Sequence, residues 1–165
     1  MTHARSAAVL LAFAAACPLA QAACDAPEHR QFDFWLGEWI VTGPGGKVAG
    51  TNRITREYGG CVIHERYTTE RGYSGESLNA WDEARKVWHQ TWVDNSGTLL
   101  LLEGRLAGSA MVLEGAGMDE GHAVKHRITW TPNADGSVRQ FWQTAGPDGA
   151  WKTAFDGLYR RKPAG

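Results

Sequence analysis

Aromatic and amide side chains recur two residues apart at three places in the sequence. The three pairs are Asn79 and Trp81, Gln90 and Trp92, and Gln140 and Trp142. Residues two apart on a β-strand point to the same face, so each pair would set a stacking ring beside hydrogen-bonding groups. Such faces suit sugars and planar apolar molecules. A buried amide without a partner costs about 1–3 kcal/mol, so the pattern also requires mutual hydrogen bonds, trapped water or a ligand.

Glu65 and Tyr67 have the same two-residue spacing, and together with Arg127 they are predicted rim or polar contacts of the same binding face. Glycoside chemistry would need a second acid on the cavity face beside Glu65. A lone interior glutamate is more often a hydrogen-bond partner than a catalyst. The sequence therefore predicts no catalytic residue, and the question of an enzymatic activity stays open.

Two histidines raise the question of a cofactor. His89 stands between Trp88 and Trp92, and a barrel can hold haem through one histidine, so His89 or His64 as an axial ligand is an open alternative. Alternation counts against His89 if the two tryptophans face the interior. We otherwise expect no cofactor and no metal site, because strand histidines at the available spacings lie too far apart to chelate one ion.

The first 22 residues have the anatomy of a secretory signal peptide. His3 and Arg5 form a short basic start, residues 7–16 form an apolar run, and Ala-Gln-Ala at 20–22 precedes a cleavage point. The run is too short to span a bilayer, and no other segment is long and apolar enough. We expect a periplasmic or secreted protein, with acylation of a cysteine near the cleavage point as an open alternative.

Removal of this segment would leave two cysteines, Cys24 and Cys61. In an exported chain, two cysteines most simply form one disulfide. The chain-entropy model values a loop of this size at about 4 kcal/mol. A nucleophilic or metal-binding Cys61 would need a nearby base or further thiols, which are not evident.

The fold determines where these side chains lie, and the composition already limits the possible fold classes. The chain has 165 residues, a formal net charge of −1 and 43% hydrophobic residues, as expected for one soluble domain. The near-neutral charge lacks the basic footprint of nucleic-acid binding. Twenty glycines interrupt helices and eight tryptophans favour pleated surfaces, so an all-β fold is predicted.

Turn-forming residues divide the chain at regular intervals after residue 37. Nine breaks separate ten predicted strands, which start near residues 38, 47, 61, 76, 87, 98, 110, 122, 137 and 150. Hairpin-sized connections exclude parallel crossovers, and an open ten-stranded sheet would leave its edges uncovered. We therefore predict one domain over residues 23–165. It would be an antiparallel up-and-down barrel preceded by a short helical turn, with a Greek-key sandwich as the alternative. Barrels of more than about eight strands tend to leave interior space.

The segment FWLGEW at 34–39 stands at the mouth of the first predicted strand. Its Gly-Glu-Trp resembles the Gly-x-Trp signature of the calycin superfamily, which includes lipocalins, fatty-acid-binding proteins and avidins. The resemblance implies that Trp39 plugs one barrel end and that an arginine of the last strand packs over it. Arg160 and Arg161, which follow Tyr159, fit that role.

A closer likeness extends over nearly the whole chain after residue 22. The segments FDFWLGEW, GESLNAWD, WHQTWVD, RITWTPN with DGSVRQFWQ, and FDGLYRR look like a bacterial secreted family of unknown function, whose expected fold is calycin-like. That family brings no substrate, cofactor or catalytic residues. The resemblance therefore implies the fold and export, and leaves the activity open.

These observations predict an exported barrel that binds a small, partly apolar molecule in its interior. The first alternative is a structural or protein-interaction barrel with a filled core. The second is an enzyme or a haem-binding barrel that uses the cavity. We expect no nucleic-acid partner and no transmembrane segment.

Overall fold

The computed structural model of the protein describes residues 24–119 and 121–163, so the predicted signal peptide at 1–22 lies outside the described residues. The strands are β1 (Gly37–Thr42), β2 (Val48–Glu57), β3 (Val62–Thr68), β4 (Ser74–Asp82), β5 (Val87–Asp94), β6 (Leu99–Ala107), β7 (Ala110–Asp119), β8 (His122–Pro132), β9 (Val138–Ala145) and β10 (Trp151–Arg161). Short 3-10 helices span Pro27–Arg30, Asp33–Trp35, Pro44–Gly46 and Tyr58–Gly60. No helix within the described ranges is long and apolar enough to cross a membrane.

The ten strands form a closed barrel in which every strand pairs antiparallel with its neighbours in sequence, and β1 pairs with β10. The predicted up-and-down barrel is confirmed, and every predicted strand start lies within two residues of the observed one. The predicted helical turn before β1 is the 3-10 helix Asp33–Trp35. Closure pairs both edges of the sheet, which is why no helix is needed to cover it.

Alternation along the strands separates an inner from an outer face. In β5, Trp88 and Gln90 are buried, whereas His89 lies between them on the outer face. The antiparallel register sets Asn79 of β4 opposite Gln90 and Trp81 opposite Trp88, so these four residues share the inner face. The inner face predicted from the two-residue spacing of aromatic and amide side chains is therefore the barrel interior.

One barrel end is plugged by the segment that precedes β1. Phe32 and Trp35 are fully buried there and stack with ring centroids 4.8 Å apart. The ring of Phe32 lies 5.7 Å from that of Trp88 and 5.2 Å from that of Trp130, both in edge-on geometry. The indole of Trp39 donates to the Trp35 carbonyl at 2.9 Å, which joins the plug to β1. We call these five aromatic residues the plug cluster.

Arg161 packs across the seam that the pairing of β1 with β10 closes. Its guanidinium carbon lies 4.1 Å from the ring centre of Trp39, and its Nη1 donates to the Leu36 carbonyl at 2.6 Å. Gly37 makes room for it, because a Cβ built at Gly37 would lie 1.8 Å from that nitrogen. Gly37 also has φ +137°, a conformation that side chains of L-residues rarely adopt.

Of the two candidate arginines, Arg161 packs over Trp39 and Arg160 does not. In the β1–β10 register Arg161 lies opposite Trp39, whereas Arg160 lies opposite Ile40. Directly paired residues share a face, so Arg161 lies on the same face as Trp39 and Arg160 on the outer face, although both arginines are exposed to solvent. The Tyr-Arg-Arg sequence alone leaves two candidates, and the register selects one of them.

The disulfide between Cys24 and Cys61 is present, with Cα atoms 5.0 Å apart. Cys61 directly precedes β3, so the bond ties the start of the plug segment to the barrel wall, as predicted. Arg56 adds a second attachment, because it forms a salt bridge with Asp33 and donates to the Gly60 carbonyl at 2.9 Å. The plug segment is therefore held at both of its ends.

Replacement of both cysteines, Cys24→Ala with Cys61→Ala, should lower the free energy of unfolding by about 4 kcal/mol, because the 37-residue separation sets the chain entropy that the bond removes. Urea denaturation measures the loss. Peptide mapping after maleimide treatment of unreduced, denatured protein should find neither cysteine labelled. Labelling of either one would contradict the bond.

Arg161→Ala should lower the free energy of unfolding by about 1–2 kcal/mol, since it removes a cation–π contact and a hydrogen bond to Leu36. Arg160→Ala is the matched control and should change stability by less than about 0.5 kcal/mol. Trp39→Ala, which removes a fully buried ring, should cost about 3–5 kcal/mol. Equal effects of the two arginine variants in urea denaturation would refute the asymmetry of the seam.

Candidate functional site

The half of the barrel away from the plug cluster contains a cavity of about 230 Å³ that is partly open to solvent. Its floor is polar and consists of Glu65, Gln90, Gln140 and Tyr159. Its walls are aromatic and consist of Tyr67, Tyr73, Trp92, Trp142 and Phe155, with Leu100 and Ile128 beside them. Tyr73 belongs to the β3–β4 connection, so the mouth lies beside that loop.

The floor rests on a continuous chain of hydrogen bonds centred on Glu65. Gln90 Nε2 donates to Asn79 Oδ1 at 2.8 Å, and Asn79 Nδ2 donates to Ser77 Oγ at 2.9 Å. Ser77 Oγ then donates to Glu65 Oε2 at 2.7 Å. From the other side, Asn52 Nδ2 donates to Glu65 Oε1 at 2.6 Å. Both carboxyl oxygens are therefore held by buried donors.

The chain continues across β1 to the last two strands. Asn52 Nδ2 also donates to Tyr159 Oη at 3.4 Å, and Tyr159 Oη donates to Gln140 Oε1. These four amides thus pair with one another, with a carboxyl group and with hydroxyl groups, whereas the indole of Trp88 donates to a fifth amide, Gln31 Oε1, at 3.1 Å. We call the seven residues from Gln90 through Glu65 to Gln140 the polar belt.

Burial dominates the acid–base behaviour of Glu65. The side chain is buried, which raises its pKa to about 7, although the hydrogen bonds from Ser77 and Asn52 oppose the rise. Burial and the nearby Glu65 charge likewise raise the pKa of Tyr67 and, more strongly, that of Tyr159. Glu65 therefore changes its protonation state near neutral pH, while the two phenols stay protonated.

The wall tryptophans use their N–H groups in hydrogen bonds with protein side chains. Trp92 Nε1 donates to Asp94 Oδ2 at 3.1 Å, and Tyr73 Oη donates to the same oxygen at 2.9 Å. Trp142 Nε1 donates to His126 Nδ1 at 3.2 Å. Burial opposes ionisation of Asp94, but its hydrogen bonds outweigh that effect and hold its pKa below the ordinary value. The carbon surfaces of the rings are what remain for contact with a bound molecule.

Two glycines make room for wall residues. A Cβ built at Gly75 would lie 2.3 Å from a ring carbon of Trp92, and one built at Gly157 would lie 2.4 Å from a ring carbon of Phe155. These rings lie directly against bare backbone, which fixes how deep they sit in the barrel. The glycines therefore shape the cavity although they contribute no side chain to it.

Six of the nine residues predicted for the binding face line the cavity, namely Glu65, Tyr67, Gln90, Trp92, Gln140 and Trp142. Asn79 lies in the polar belt. Trp81 lies at the plugged end, where its indole donates to Glu83 at 2.9 Å and its ring is 6.5 Å from Trp88. Trp81 faces the barrel interior as predicted, but it lies too far along the barrel axis to reach the cavity, because it is the next-to-last residue of β4.

Arg127 lies outside the barrel, since its neighbour Ile128 faces inward. It pairs with Glu114 on β7, and its guanidinium carbon lies 4.2 Å from the ring centre of Trp151. The prediction that Arg127 is a polar contact of the cavity is therefore wrong. The reason is alternation, which sets odd-numbered residues of this part of β8 on the outer face.

Several residues of the site were not anticipated. Tyr159 shares a face with Trp39, and the same two-residue rule applied to Asn79 would have identified Ser77. Phe155 had no such signal, because a register shift between Thr153 and Phe155 interrupts the alternation of β10. Tyr73 lies in a connection, where alternation does not apply.

The two histidines considered for haem lie on the outer face. His64 has Glu57 and Glu76 at 3.2 and 2.7 Å from its two ring nitrogens. His89 has Glu103 and Thr91 at 3.2 and 2.8 Å. Neither lines the cavity. Within the described residues, no group of three or more His, Cys, Asp or Glu side chains is arranged to hold a metal ion.

The fold and the site together define a class: a closed ten-stranded antiparallel barrel, plugged at one end, with an aromatic cavity over a polar floor. No family model matches the chain, and no curated protein matches it.

Glu65→Gln should make protein stability less dependent on pH. Because folding raises the pKa of Glu65 from 4.5 to about 7, the folded state holds a proton that the unfolded chain loses. The contribution of Glu65 to wild-type stability therefore falls by roughly 3 kcal/mol as the pH rises from about 4.5 to about 7, and stays level above that. Over the same pH window, Glu65→Gln should gain stability relative to wild type by that amount.

Urea denaturation at several pH values provides the measurement. The matched control is Glu38→Gln, on the exposed outer face of β1, whose stability should follow that of wild type at every pH. A constant difference between wild type and Glu65→Gln across the window would contradict the buried-acid interpretation.

Proposed function

We propose that the protein is an exported carrier or sensor that binds a small, partly apolar molecule in the barrel cavity. The observation that supports this most is the contrast between the two halves of the barrel. The plugged half is filled by fully buried aromatic rings, whereas the other half holds a cavity of about 230 Å³ with an open mouth. A barrel with a purely structural role would have no need for that space.

The size and lining of the cavity limit the molecule. An apolar cavity of about 150 Å³ takes up benzene, so about 230 Å³ has room for one substituted ring or two fused rings. The wall rings supply stacking surfaces, and the floor supplies fixed hydrogen-bonding groups that orient one polar end. This combination fits a compact amphipathic molecule better than a long acyl chain.

Export is supported by the signal-peptide pattern of residues 1–22 and by the disulfide between Cys24 and Cys61. We place the protein in the periplasm or outside the cell. A calycin-like relationship is supported by Gly37, Trp39 and Arg161, which meet at the plugged end as the Gly-x-Trp resemblance implies.

The test is native mass spectrometry of protein purified from its own host, followed by tryptophan-fluorescence titration with the molecule that co-purifies. Trp92→Ala removes one wall and should weaken binding by about tenfold, which is the effect of losing one stacking contact. The control is Trp151→Ala, a tryptophan in contact with Arg127 on the outer face, which should change affinity by less than about twofold.

Absence of a co-purifying molecule leads to a second step, in which fatty acids, sugars and small aromatic compounds are titrated in turn. If none of them changes the fluorescence of folded wild-type protein, the binding proposal is wrong and the structural role takes its place. Equal loss of affinity in Trp92→Ala and Trp151→Ala would place binding outside the cavity.

Catalysis is the second candidate, and one observation favours it. Glu65 combines a pKa near 7 with a position on the cavity floor, as a general acid or base requires. Incubation of the identified molecule with wild type and with Glu65→Gln separates the two roles. Chemical conversion by wild type alone favours an enzyme, and unchanged recovery of the molecule favours a carrier.

A further inference from the structure

The charges around the cavity are of one sign. Glu65 lies on the floor, and Asp94 lies behind the wall, where it accepts hydrogen bonds from Tyr73 and Trp92. Within the described chain, the cavity lining includes no Lys, Arg or His side chain. The imidazole of His126 does not line the cavity; its Nδ1 accepts a hydrogen bond from the wall residue Trp142. An anionic molecule would thus meet carboxylates without a cationic partner, which is strongly unfavourable in a desolvated site.

The aromatic lining adds to the negative electrostatic potential of the cavity. Six lining side chains are aromatic, namely Tyr67, Tyr73, Trp92, Trp142, Phe155 and Tyr159. The faces of such rings carry partial negative charge and attract ammonium groups, most strongly when water is excluded. Donation from Trp92 and Tyr73 to the same carboxylate oxygen of Asp94 polarises both groups in the direction that makes their rings richer in electrons.

Glu65 retains acceptor capacity toward the cavity. A carboxylate has about four acceptor positions, and the polar belt uses two, one from Asn52 and one from Ser77. Glu65 is also one of the residues that line the cavity. A positive group in the cavity would thus reach a carboxylate that the protein already holds in place.

We propose that the cavity selects a small organic cation, an amine or quaternary ammonium joined to a ring-sized apolar group, with its positive end directed toward Glu65. This inference rests on the proposed function, because it names the chemical class of molecule that the same cavity takes. It excludes fatty acids and other carboxylates as the preferred ligands.

The titration of Glu65 should make affinity for a cation depend on pH. The other titratable groups that face it are Tyr67 of its own strand and Tyr159 of β10, and both stay protonated near neutral pH. From β2 and β4 it meets only the uncharged Asn52 and Ser77, and His64 acts on it from the outer face. Cation binding requires ionised Glu65, so affinity should fall as the pH drops below about 7.

The test compares three probes of similar size by tryptophan-fluorescence titration. They are benzyltrimethylammonium, its uncharged isostere neopentylbenzene, and phenylacetate. Wild type at pH 8 should bind the cation about tenfold more tightly than the isostere, and phenylacetate most weakly. Between pH 8 and pH 5, affinity for the cation should fall about tenfold, to that of the isostere, and affinity for the isostere should stay constant.

Glu65→Gln should abolish both the preference for the cation and the pH dependence, while Glu38→Gln on the outer face should keep both. Binding of neopentylbenzene by Glu65→Gln checks that the variant is folded. If that variant does not fold, the comparison of cation and isostere in wild type still decides the question. Equal or tighter binding of the isostere by wild type overturns the inference, as does a preference that survives in folded Glu65→Gln.

The outcomes separate this inference from the proposed function. Binding of the isostere without the cation leaves the cavity a binding site and removes its charge selectivity. If none of the three probes binds but a fatty acid, a sugar or another small aromatic compound does, the cavity is likewise a binding site without selectivity for cations. Failure of every compound to bind removes both proposals.

Discussion

Pairing of β1 with β10 closes the barrel, and it brings Arg161 onto the ring of Trp39. These residues lie on the first and the last strand, 122 positions apart in sequence. They meet only when all the strands between them pair in register. The same guanidinium holds the Leu36 carbonyl, so one side chain fixes both the seam and the exit of the plug segment. Gly37 is the residue that leaves space for it. Without this contact the backbone pairing of β1 with β10 would still close the sheet, but the seam and the plug segment would lose their shared side-chain attachment.

The plug divides the interior into two environments, and the cavity follows from that division. Fully buried aromatic rings pack the plugged half, and four residues of the polar belt form the floor of the cavity in the other half. Hydrogen bonds within the belt limit the cost of burying its polar groups, although Oδ1 of Asn52 is buried without a partner. Its central acid is retained despite burial that opposes its charge. That combination suits a function at the floor of the cavity more than a contribution to stability.

The architecture was predictable from the sequence because its signals are local. Turn residues mark the ends of β1 to β10, and two-residue alternation identifies the inner face at Gln90 and Gln140. The position of a residue along the barrel axis is not a local signal. Trp81 and Trp92 both face inward, but Trp81 lies at the plugged end and Trp92 lines the cavity. The choice of Arg161 over Arg160 required the register of the seam, which depends on all ten strands together.

Both ends of the described chain lie at the plugged end. Cys24 is bonded to Cys61 there, and the chain passes Arg161 beside Leu36 before it reaches Pro163. The mouth beside Tyr73 is at the opposite end of the barrel. A fluorescent protein, an affinity tag or a sensor chip attached at either end would therefore stand on the far side of the molecule from the opening. Surface immobilisation in this orientation would present a uniform layer of cavities to the solution.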